Sequence, residues 1–197
     1  KELARASVFD EPYGVVLTRD GKHLYVTLDF PGQVIEIDSG TRQITRQWDA
    51  GKFTRGLALC PDESRIYITE YYTGIVRSFD RVSGQLAEVW IGSPQDNLAR
   101  QIVVHPTNPT AYLPHQRSRT NVNHGSGSIF PYVSIIDINS QEESRRKRIQ
   151  MDAFVSVLVV ANPWEVAVSP DGKMLYVVFA GTDDMFAAEI LNDGYRH

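Results

Sequence analysis

The part of the chain best suited to chemistry is the stretch 114–131, which is dense in histidine, arginine and asparagine. His115 and His124 could offer imidazole nitrogens to zinc, copper or haem iron. Their spacing is loose, and no third ligand completes a known metal-binding pattern. We therefore expect no cofactor to be held by this chain alone, and any metal or haem to come from a partner or from a region outside it.

The polar residues between the two histidines suit hydrogen bonding to another molecule. They are Arg117, Arg119, Asn121 and Asn123. The planar guanidinium of arginine matches a carboxylate, so one interpretation is contact with a neighbouring domain, for instance with the propionates of a c-type haem domain. The alternative is a structured loop whose asparagine and histidine side chains satisfy its own backbone.

Composition excludes several classes of protein. The net charge of −4 is unfavourable for non-specific binding to nucleic acid, which needs a surplus of cationic side chains facing phosphate. The single cysteine, Cys60, excludes an internal disulfide framework and an internal Cys-x-x-Cys-His haem attachment. No apolar run approaches the 18 or so residues of a membrane span. Nucleophile elbows, phosphate loops and dinucleotide fingerprints are also absent from the sequence, so no catalytic residue is predicted.

A repeat organises the chain: an apolar strand, a turn containing Asp or Pro, and a second strand centred on tyrosine. The repeated tyrosines are Tyr25, Tyr67, Tyr112 and Tyr176. The first two spacings match one four-stranded propeller blade, and the longer third spacing matches a blade with an insertion. Short strands rich in Val, Ile, Tyr and Thr, with no competing helical period, predict an all-β fold.

The last copy of the repeat carries a resemblance to a known family. Residues 169–178, SPDGKMLYVV, are similar to the signature of the YVTN-type β-propeller repeats, and residues 24–27, LYVT, resemble the motif that names them. The resemblance covers roughly residues 12–190. It implies a β-propeller built of four-stranded antiparallel blades, with boundaries near residues 12–53, 54–98, 99–162 (insertion 114–131) and an incomplete 163–197.

Propellers of this repeat usually close with about seven blades, whereas four are present. We therefore expect a partial propeller domain within residues 1–197, completed by further residues or by a partner to a ring of about seven blades. An open arc of blades exposes apolar flanks at both ends. The chain begins at Lys1, and we expect a processed, exported protein located in the periplasm or outside the cell.

The repeat alignment also predicts a site at the mouth of the central channel. The residues just before each inner strand are Tyr13, Arg55, Arg100 and Trp164. Two arginines suit a carboxylate or phosphate, and two aromatic rings suit a flat or apolar part of a ligand. The alternative is that the arginines only close the channel by pairing with acids such as Glu70 or Glu165. The charge run 140–148 is predicted to be a solvated hairpin edge.

Three hypotheses for function remain open on the sequence. The first is an exported binding module that recognises a protein partner or an anionic ligand on its loop-rich face. The second is the propeller portion of a periplasmic redox enzyme or metalloenzyme, with His115 and His124 near a metal or a haem-bearing partner. The third is a structural surface-layer or adhesion repeat.

Overall fold

The fold was obtained as a computed structural model that describes residues 1–2, 5–8, 11–119, 129–154, 160–191 and 194–196. Within these residues the chain forms strands and two short 3-10 segments, Glu143–Arg145 and Met151–Phe154. The strands form four antiparallel sheets, one for each copy of the repeat. The predicted all-β propeller fold is confirmed.

Each sheet is a blade whose strands follow one another in chain order. Blade 1 contains β1 (Pro12–Leu17), β2 (His23–Leu28), β3 (Gln33–Asp38) and β4 (Ile44–Asp49). Blade 2 contains β5 (Thr54–Leu59), β6 (Arg65–Glu70), β7 (Val76–Asp80) and β8 (Leu86–Trp90).

The second half of the chain repeats this order with two differences. Blade 3 contains β9 (Asp96–Asn97), β10 (Val103–Val104), β11 (Thr110–Ser118), β12 (Ile129–Asp137) and β13 (Lys147–Gln150), and its short β9 pairs with β11. Blade 4 contains β14 (Pro163–Val168), β15 (Met174–Phe179), β16 (Asp184–Leu191) and β17 (Gly194–Arg196). Both ends of the predicted insertion are strand, because β11 and β12 extend into it. No fourth strand is evident in the sequence of blade 4, but β17 supplies one.

The apolar core lies between neighbouring blades. Tyr25 packs with residues of blade 2, Tyr67 with residues of blade 3 and Tyr112 with residues of blade 4. The repeat tyrosines therefore point in the same direction around the propeller. Each covers an apolar face that a single sheet could not bury alone, which is why the fold needs consecutive copies.

The threonine of the repeat motif joins one blade to the next. In blade 1, the Thr27 hydroxyl accepts a hydrogen bond from the Gly14 amide and donates one to the Arg55 carbonyl, both 2.8 Å long. In blade 2, Thr69 makes the same two bonds, to Gly56 and to the carbonyl of Ala99. The motif therefore satisfies backbone groups that packing of the blades would otherwise bury unpaired.

The two outer faces of the arc expose apolar side chains. On blade 1, Val15 and Leu17 are 64% and 50% exposed. On blade 4, Val178 and Met185 are 39% and 64% exposed. They lie opposite each other in the β15 and β16 pairing. The predicted apolar flanks are present at both ends of the four-blade arc.

None of the helical segments in the described part of the chain has the length and apolar character required to span a bilayer.

Candidate functional site: the channel mouth and the Asp96 cluster

The four residues predicted at the channel mouth occupy equivalent places in their blades. In blades 1, 2 and 4 the pairing of the first two strands shifts by one residue at this point, so that Tyr13, Arg55 and Trp164 each lie in a β-bulge. A bulge changes the direction of its side chain relative to a regular strand, and bulges are common beside functional sites. Gly14 follows Tyr13, and a Cβ there would clash with the Arg55 carbonyl oxygen of the next blade, so the close approach of the two blades requires glycine.

The channel-mouth side chains form a ladder in which aromatic rings alternate with arginines. The Arg55 guanidinium lies 4.7 Å from the ring centre of Tyr13 and 3.5 Å from that of Tyr71. The Arg100 guanidinium lies 5.6 Å from Tyr71 and 3.9 Å from Trp164. These distances are within the range of cation–π attraction, so each ring stabilises a neighbouring charge. The structure thus brings together all four predicted residues and adds Tyr71.

The two arginines of the ladder differ in how their charges are compensated. Arg55 donates two hydrogen bonds, of 3.1 and 2.8 Å, to one oxygen of Asp29. Burial by itself lowers the pKa of Arg55, but Asp29 outweighs this effect and the net shift is upward. The alternative that the arginines pair with acids therefore holds for Arg55, but the acid is Asp29 and not Glu70, which accepts the hydrogen bonds of Arg77.

Arg100 has only neutral partners among the described residues. It donates to the Asn162 side-chain oxygen at 2.9 Å and to the Tyr71 hydroxyl at 3.1 Å. The residue is 6% exposed, and its buried Nε has no hydrogen-bond partner. A buried cation without an anion is unfavourable, because desolvation is then not offset by Coulombic attraction.

The ladder borders a cavity of about 280 Å³ on the propeller axis. Its lining comes from the first-strand region of all four blades and includes Tyr13, Arg55, Arg100 and Trp164. Tyr13 and Trp164 are 43% and 41% exposed, so their rings are accessible from the open side of the cavity. The arrangement can hold a small anion or carboxylate against Arg100 between two aromatic surfaces.

A second polar cluster, the Asp96 cluster, lies within blade 3. It joins Asp96 of β9 to Arg117 of β11 and Arg148 of β13. Arg148 donates two hydrogen bonds, of 3.0 and 2.8 Å, to one oxygen of the fully buried Asp96 carboxylate. Arg117 Nε lies 3.1 Å from the other oxygen, and Arg146 approaches to 3.9 Å. Burial alone raises the pKa of Asp96, but the surrounding positive charge and hydrogen bonds outweigh it and the net shift is downward. The carboxylate is therefore ionised and holds three arginines together.

His115 belongs to this cluster and uses both ring nitrogens within the protein. Its Nδ1 lies 3.1 Å from the Gln116 carbonyl oxygen, which can only accept, so Nδ1 carries the proton. Its Nε2 accepts from the Ser134 hydroxyl at 2.8 Å, and Ser134 in turn accepts from Arg146 Nε. Burial lowers the pKa of His115 to about 3. The arrangement leaves no ring nitrogen for a metal and does not support the metal-ligand prediction for His115.

The charge run 140–148 forms the turn between β12 and β13 and is mostly exposed, as predicted for a solvated hairpin edge, but Arg146 and Arg148 turn inward. The Arg146 side chain is buried and donates to the Gly74 carbonyl of blade 2 at 2.9 Å. Burial lowers the pKa of this guanidinium to about 10. The run therefore supplies two cations to the interior, because Arg146 and Arg148 lie on the same side of one extended segment and reach Asp96 together.

The remaining predicted site residues lie apart from the channel-mouth ladder. Arg117 takes part in the Asp96 cluster and also lies 5.4 Å from the Tyr132 ring. Arg119 lies 5.4 Å from the ring of Phe130. Asn121, Asn123 and His124 lie outside the described residues. In the described part of the chain, no group of three or more His, Cys, Asp or Glu side chains could hold a metal ion.

Comparisons with known proteins support the fold. No model of a known protein family matches the chain. Among curated proteins, it resembles Antigen Lp49 of Leptospira interrogans, with 31% identity over 38% of this chain and 19% of that protein. The chain therefore spans about a fifth of the curated relative that it matches.

Several solved structures resemble the chain at low identity. Among them are the hydrazine synthase of Kuenenia stuttgartiensis (TM-score 0.59, 16% identity, 90% of this chain and 64% of that chain) and the dihydro-heme d1 dehydrogenase NirN in complex with DHE (TM-score 0.66, 18% identity, 99% of this chain and 38% of that chain). A functionally unknown protein of Desulfotomaculum acetoxidans is similar too, with a TM-score of 0.55 and 13% identity over 98% of this chain and 70% of that chain. At such identity, the likeness concerns the propeller fold alone.

Sequence reasoning missed Tyr71 and Asp29, which complete the ladder. Both residues stand four positions after a repeat tyrosine, so they occupy the same place in blades 2 and 1. That shared offset could have identified them as neighbours of the channel mouth. No pattern in the sequence pointed to Asp96, because its contact with Arg148 forms only in the folded structure.

Proposed function

We propose that this chain is part of an exported propeller of the YVTN type that binds an anionic group at its channel mouth. One observation carries the proposal: Arg100 is a buried cation with no carboxylate partner among the described residues, beside the channel cavity. An incoming carboxylate or phosphate would supply the missing negative charge and accept a hydrogen bond from the guanidinium.

The aromatic members of the ladder support a ligand that is partly flat or apolar. Tyr13 and Trp164 present accessible rings on either side of the arginines, and Arg55 is already neutralised by Asp29. Of the two arginines, Arg100 alone has no carboxylate within ion-pair distance among the described residues, and Glu165 is the acidic residue that lines the cavity. The site favours a single carboxylate, either on a small ligand or on a protein partner, over a polyanion such as nucleic acid.

The proposed family and location rest on separate observations. The repeat signature and the threonine bridges between blades favour the YVTN family. The exposed apolar end faces favour completion of the ring by further blades, whether in the same protein or in a partner. The name of the curated relative, an antigen, favours an exported protein, periplasmic or extracellular.

The test uses benzoate as a probe, because it joins one carboxylate to one planar ring. Benzoate is expected to bind the wild-type chain, and Arg100→Gln is expected to weaken binding by at least about tenfold, since a hydrogen bond to a charged group contributes roughly 1.5–3 kcal/mol. Titration followed by NMR of the ligand measures both values. Arg100→Lys keeps the charge without the planar fork and should fall between the two.

Arg42→Gln is the matched control, because it removes one exposed positive charge from the turn between β3 and β4, at the other end of the strands. Its benzoate affinity should equal that of the wild type. Equal affinity of Arg100→Gln and Arg42→Gln would show that binding follows overall charge, and the proposal would be wrong.

A second function, the propeller portion of a redox enzyme, is favoured by one comparison. A dihydro-heme d1 dehydrogenase shares the fold over 99% of this chain. In such a protein, the channel mouth would face a cofactor-bearing domain such as a c-type cytochrome, with Arg100 meeting a propionate. An absorption spectrum and metal analysis of the intact protein test this hypothesis, and a colourless, metal-free sample would exclude it.

A further inference from the structure

Asn162 orients Arg100 at the channel mouth, together with the Tyr71 hydroxyl. Its side-chain oxygen accepts a hydrogen bond of 2.9 Å from Arg100 Nη1. In blade 2, the equivalent arginine is held by a carboxylate instead, because Arg55 donates to Asp29. An amide oxygen and a carboxylate oxygen accept the same kind of bond, but only the carboxylate cancels the charge of the guanidinium. The two arginines therefore have orienting partners of similar size and different charge.

The backbone at Asn162 is left-handed, with a φ of 56°. The residues at the same place in the other blades, two positions before the channel-mouth side chain, also have positive φ: 26° at Glu11, 51° at Phe53 and 57° at Leu98. The Asn162 carbonyl accepts a hydrogen bond of 3.1 Å from the Ala180 amide, which fixes this conformation within blade 4. Among residues other than glycine, Asn and Asp tolerate such a φ best. An aspartate would therefore fit the backbone at position 162 as well as asparagine does.

In the described part of the chain, no other acid takes the place of this absent carboxylate beside Arg100. The residues that precede Asn162, 153–161, contain neither Asp nor Glu. Glu165 lines the cavity but forms no ion pair with Arg100, whose hydrogen bonds go to Asn162 and Tyr71. An aspartate at position 162 would lie within hydrogen-bond distance of the guanidinium and would compensate it. The uncompensated charge of Arg100 thus depends on the amide of a single residue.

We propose that Asn162 determines the charge selectivity of the channel mouth, because its amide orients Arg100 and leaves the positive charge for an incoming anion. This role rests on the proposed function, to which it adds the residue that sets the preference for an anion. The evidence is a neutral acceptor 2.9 Å from a buried guanidinium, at a position whose backbone would accommodate aspartate equally well.

The first test measures benzoate binding by Asn162→Asp, a change that keeps the size and the backbone preference of the side chain. The affinity is expected to fall at least about tenfold, as in Arg100→Gln, because the new carboxylate compensates the charge that the ligand would otherwise meet. Asn162→Gly keeps the positive φ and leaves Arg100 uncompensated, so its affinity should stay within about threefold of that of the wild type. Titration followed by NMR of the ligand measures these affinities.

Asn139→Asp is the matched control for the added charge. It introduces the same negative charge in the exposed turn between β12 and β13, at the opposite end of the strands. Its benzoate affinity should equal that of the wild type. An equal loss of affinity in Asn139→Asp and Asn162→Asp would show that net charge alone decides binding, and would overturn the role of Asn162.

A double-mutant cycle in urea unfolding separates the charge of residue 162 from a merely structural role. With Arg100 present, Asn162→Asp is expected to raise the urea midpoint, because the buried guanidinium gains an anion. In the Arg100→Gln background, the same change should lower the midpoint, because the half-buried carboxylate then has no cation beside it. A merely structural asparagine would give a loss in both backgrounds.

The two measurements distinguish failure of this inference from failure of the proposed function. Benzoate binding by a folded Asn162→Asp as tight as that of the wild type would overturn the role of Asn162, and so would a lower midpoint in both backgrounds. If Asn162→Asp does not fold, a tenfold loss in Asn162→Gly would overturn it, because that variant leaves the charge in place. A wild-type chain that does not bind benzoate would contradict the proposed function, and the unfolding cycle would still decide whether Asn162 governs the charge of Arg100.

Discussion

At the scale of single residues, burial determines what His115 can do. An imidazole in the interior loses the hydration that stabilises its protonated form, and here Arg146 and Arg148 add positive charge nearby. The result is a neutral histidine that accepts from Ser134 and donates to Gln116. A residue type that suggested a metal in the sequence therefore serves as a hydrogen-bond link inside blade 3.

The depressed pKa predicts a pH dependence of stability. Between pH 6.5 and about 3, the unfolded chain binds a proton at His115 that the folded chain does not bind. The stabilisation is therefore complete above pH 6.5 and decreases as the pH falls, by up to about 1.4 kcal/mol per pH unit. Urea unfolding at pH 7, 6 and 5 should show this slope in the wild type.

His115→Gln removes the titrating group, so its free energy of unfolding should fall less steeply over the same pH range. The comparison uses the difference in slope, because the variant is also expected to be less stable at pH 7. Identical slopes for the two proteins would contradict the assignment of a buried, neutral His115.

At the scale of elements, the contact between neighbouring blades depends on the bulge in the first strand of blades 1 and 2, which precedes the tyrosine-bearing strand. The bulge leaves a glycine amide without a strand partner, and the buried threonine hydroxyl supplies one while it bonds the next blade. The same bulge aims Arg55 at the channel. The bulge therefore contributes to the stability of the contact between blades and to the geometry of the channel mouth.

Thr69→Val tests this contact, because valine has nearly the shape of threonine but no hydroxyl. The change leaves the Gly56 amide and the Ala99 carbonyl without this partner in a buried place, and we expect it to lower the free energy of unfolding by about 2 kcal/mol. Urea unfolding measures the loss. The exposed Thr45→Val, whose hydroxyl makes one 3.3 Å bond, should change it by less than about 0.5 kcal/mol. Equal losses of unfolding free energy in Thr69→Val and Thr45→Val would contradict the role of the Thr69 hydroxyl between the blades.

At the scale of the whole molecule, the four blades leave an apolar face at each end of the arc. Each blade normally covers the apolar side of its neighbour, so the blade 4 face with Val178 and Met185 is suited to contact with another sheet. Isolated in solution, such a face promotes self-association.

We expect the 197-residue chain to self-associate in a concentration-dependent way, and the double change Val178→Lys and Met185→Lys to weaken this association by at least tenfold. Two lysines introduce charges whose burial is costly. Sedimentation equilibrium measures the association constant. Val82→Lys, at an exposed turn of blade 2, is the control and should leave it unchanged. Association of the double variant equal to that of the wild type would contradict the role of this face.

The amino-acid sequence by itself determined the blades and the channel mouth. The tyrosines 25, 67, 112 and 176 mark a repeat, and equivalent positions in a repeat occupy equivalent places around one axis. Alignment alone therefore predicted that Tyr13, Arg55, Arg100 and Trp164 meet. Local patterns suffice for this, because strand alternation and turn chemistry act over a few residues.

Only the tertiary structure decided which charges pair. Arg148 reaches Asp96 across 52 residues of chain, and no local pattern connects the two. Charge compensation and close packing are set by distances between blades, which a sequence read along its length does not contain.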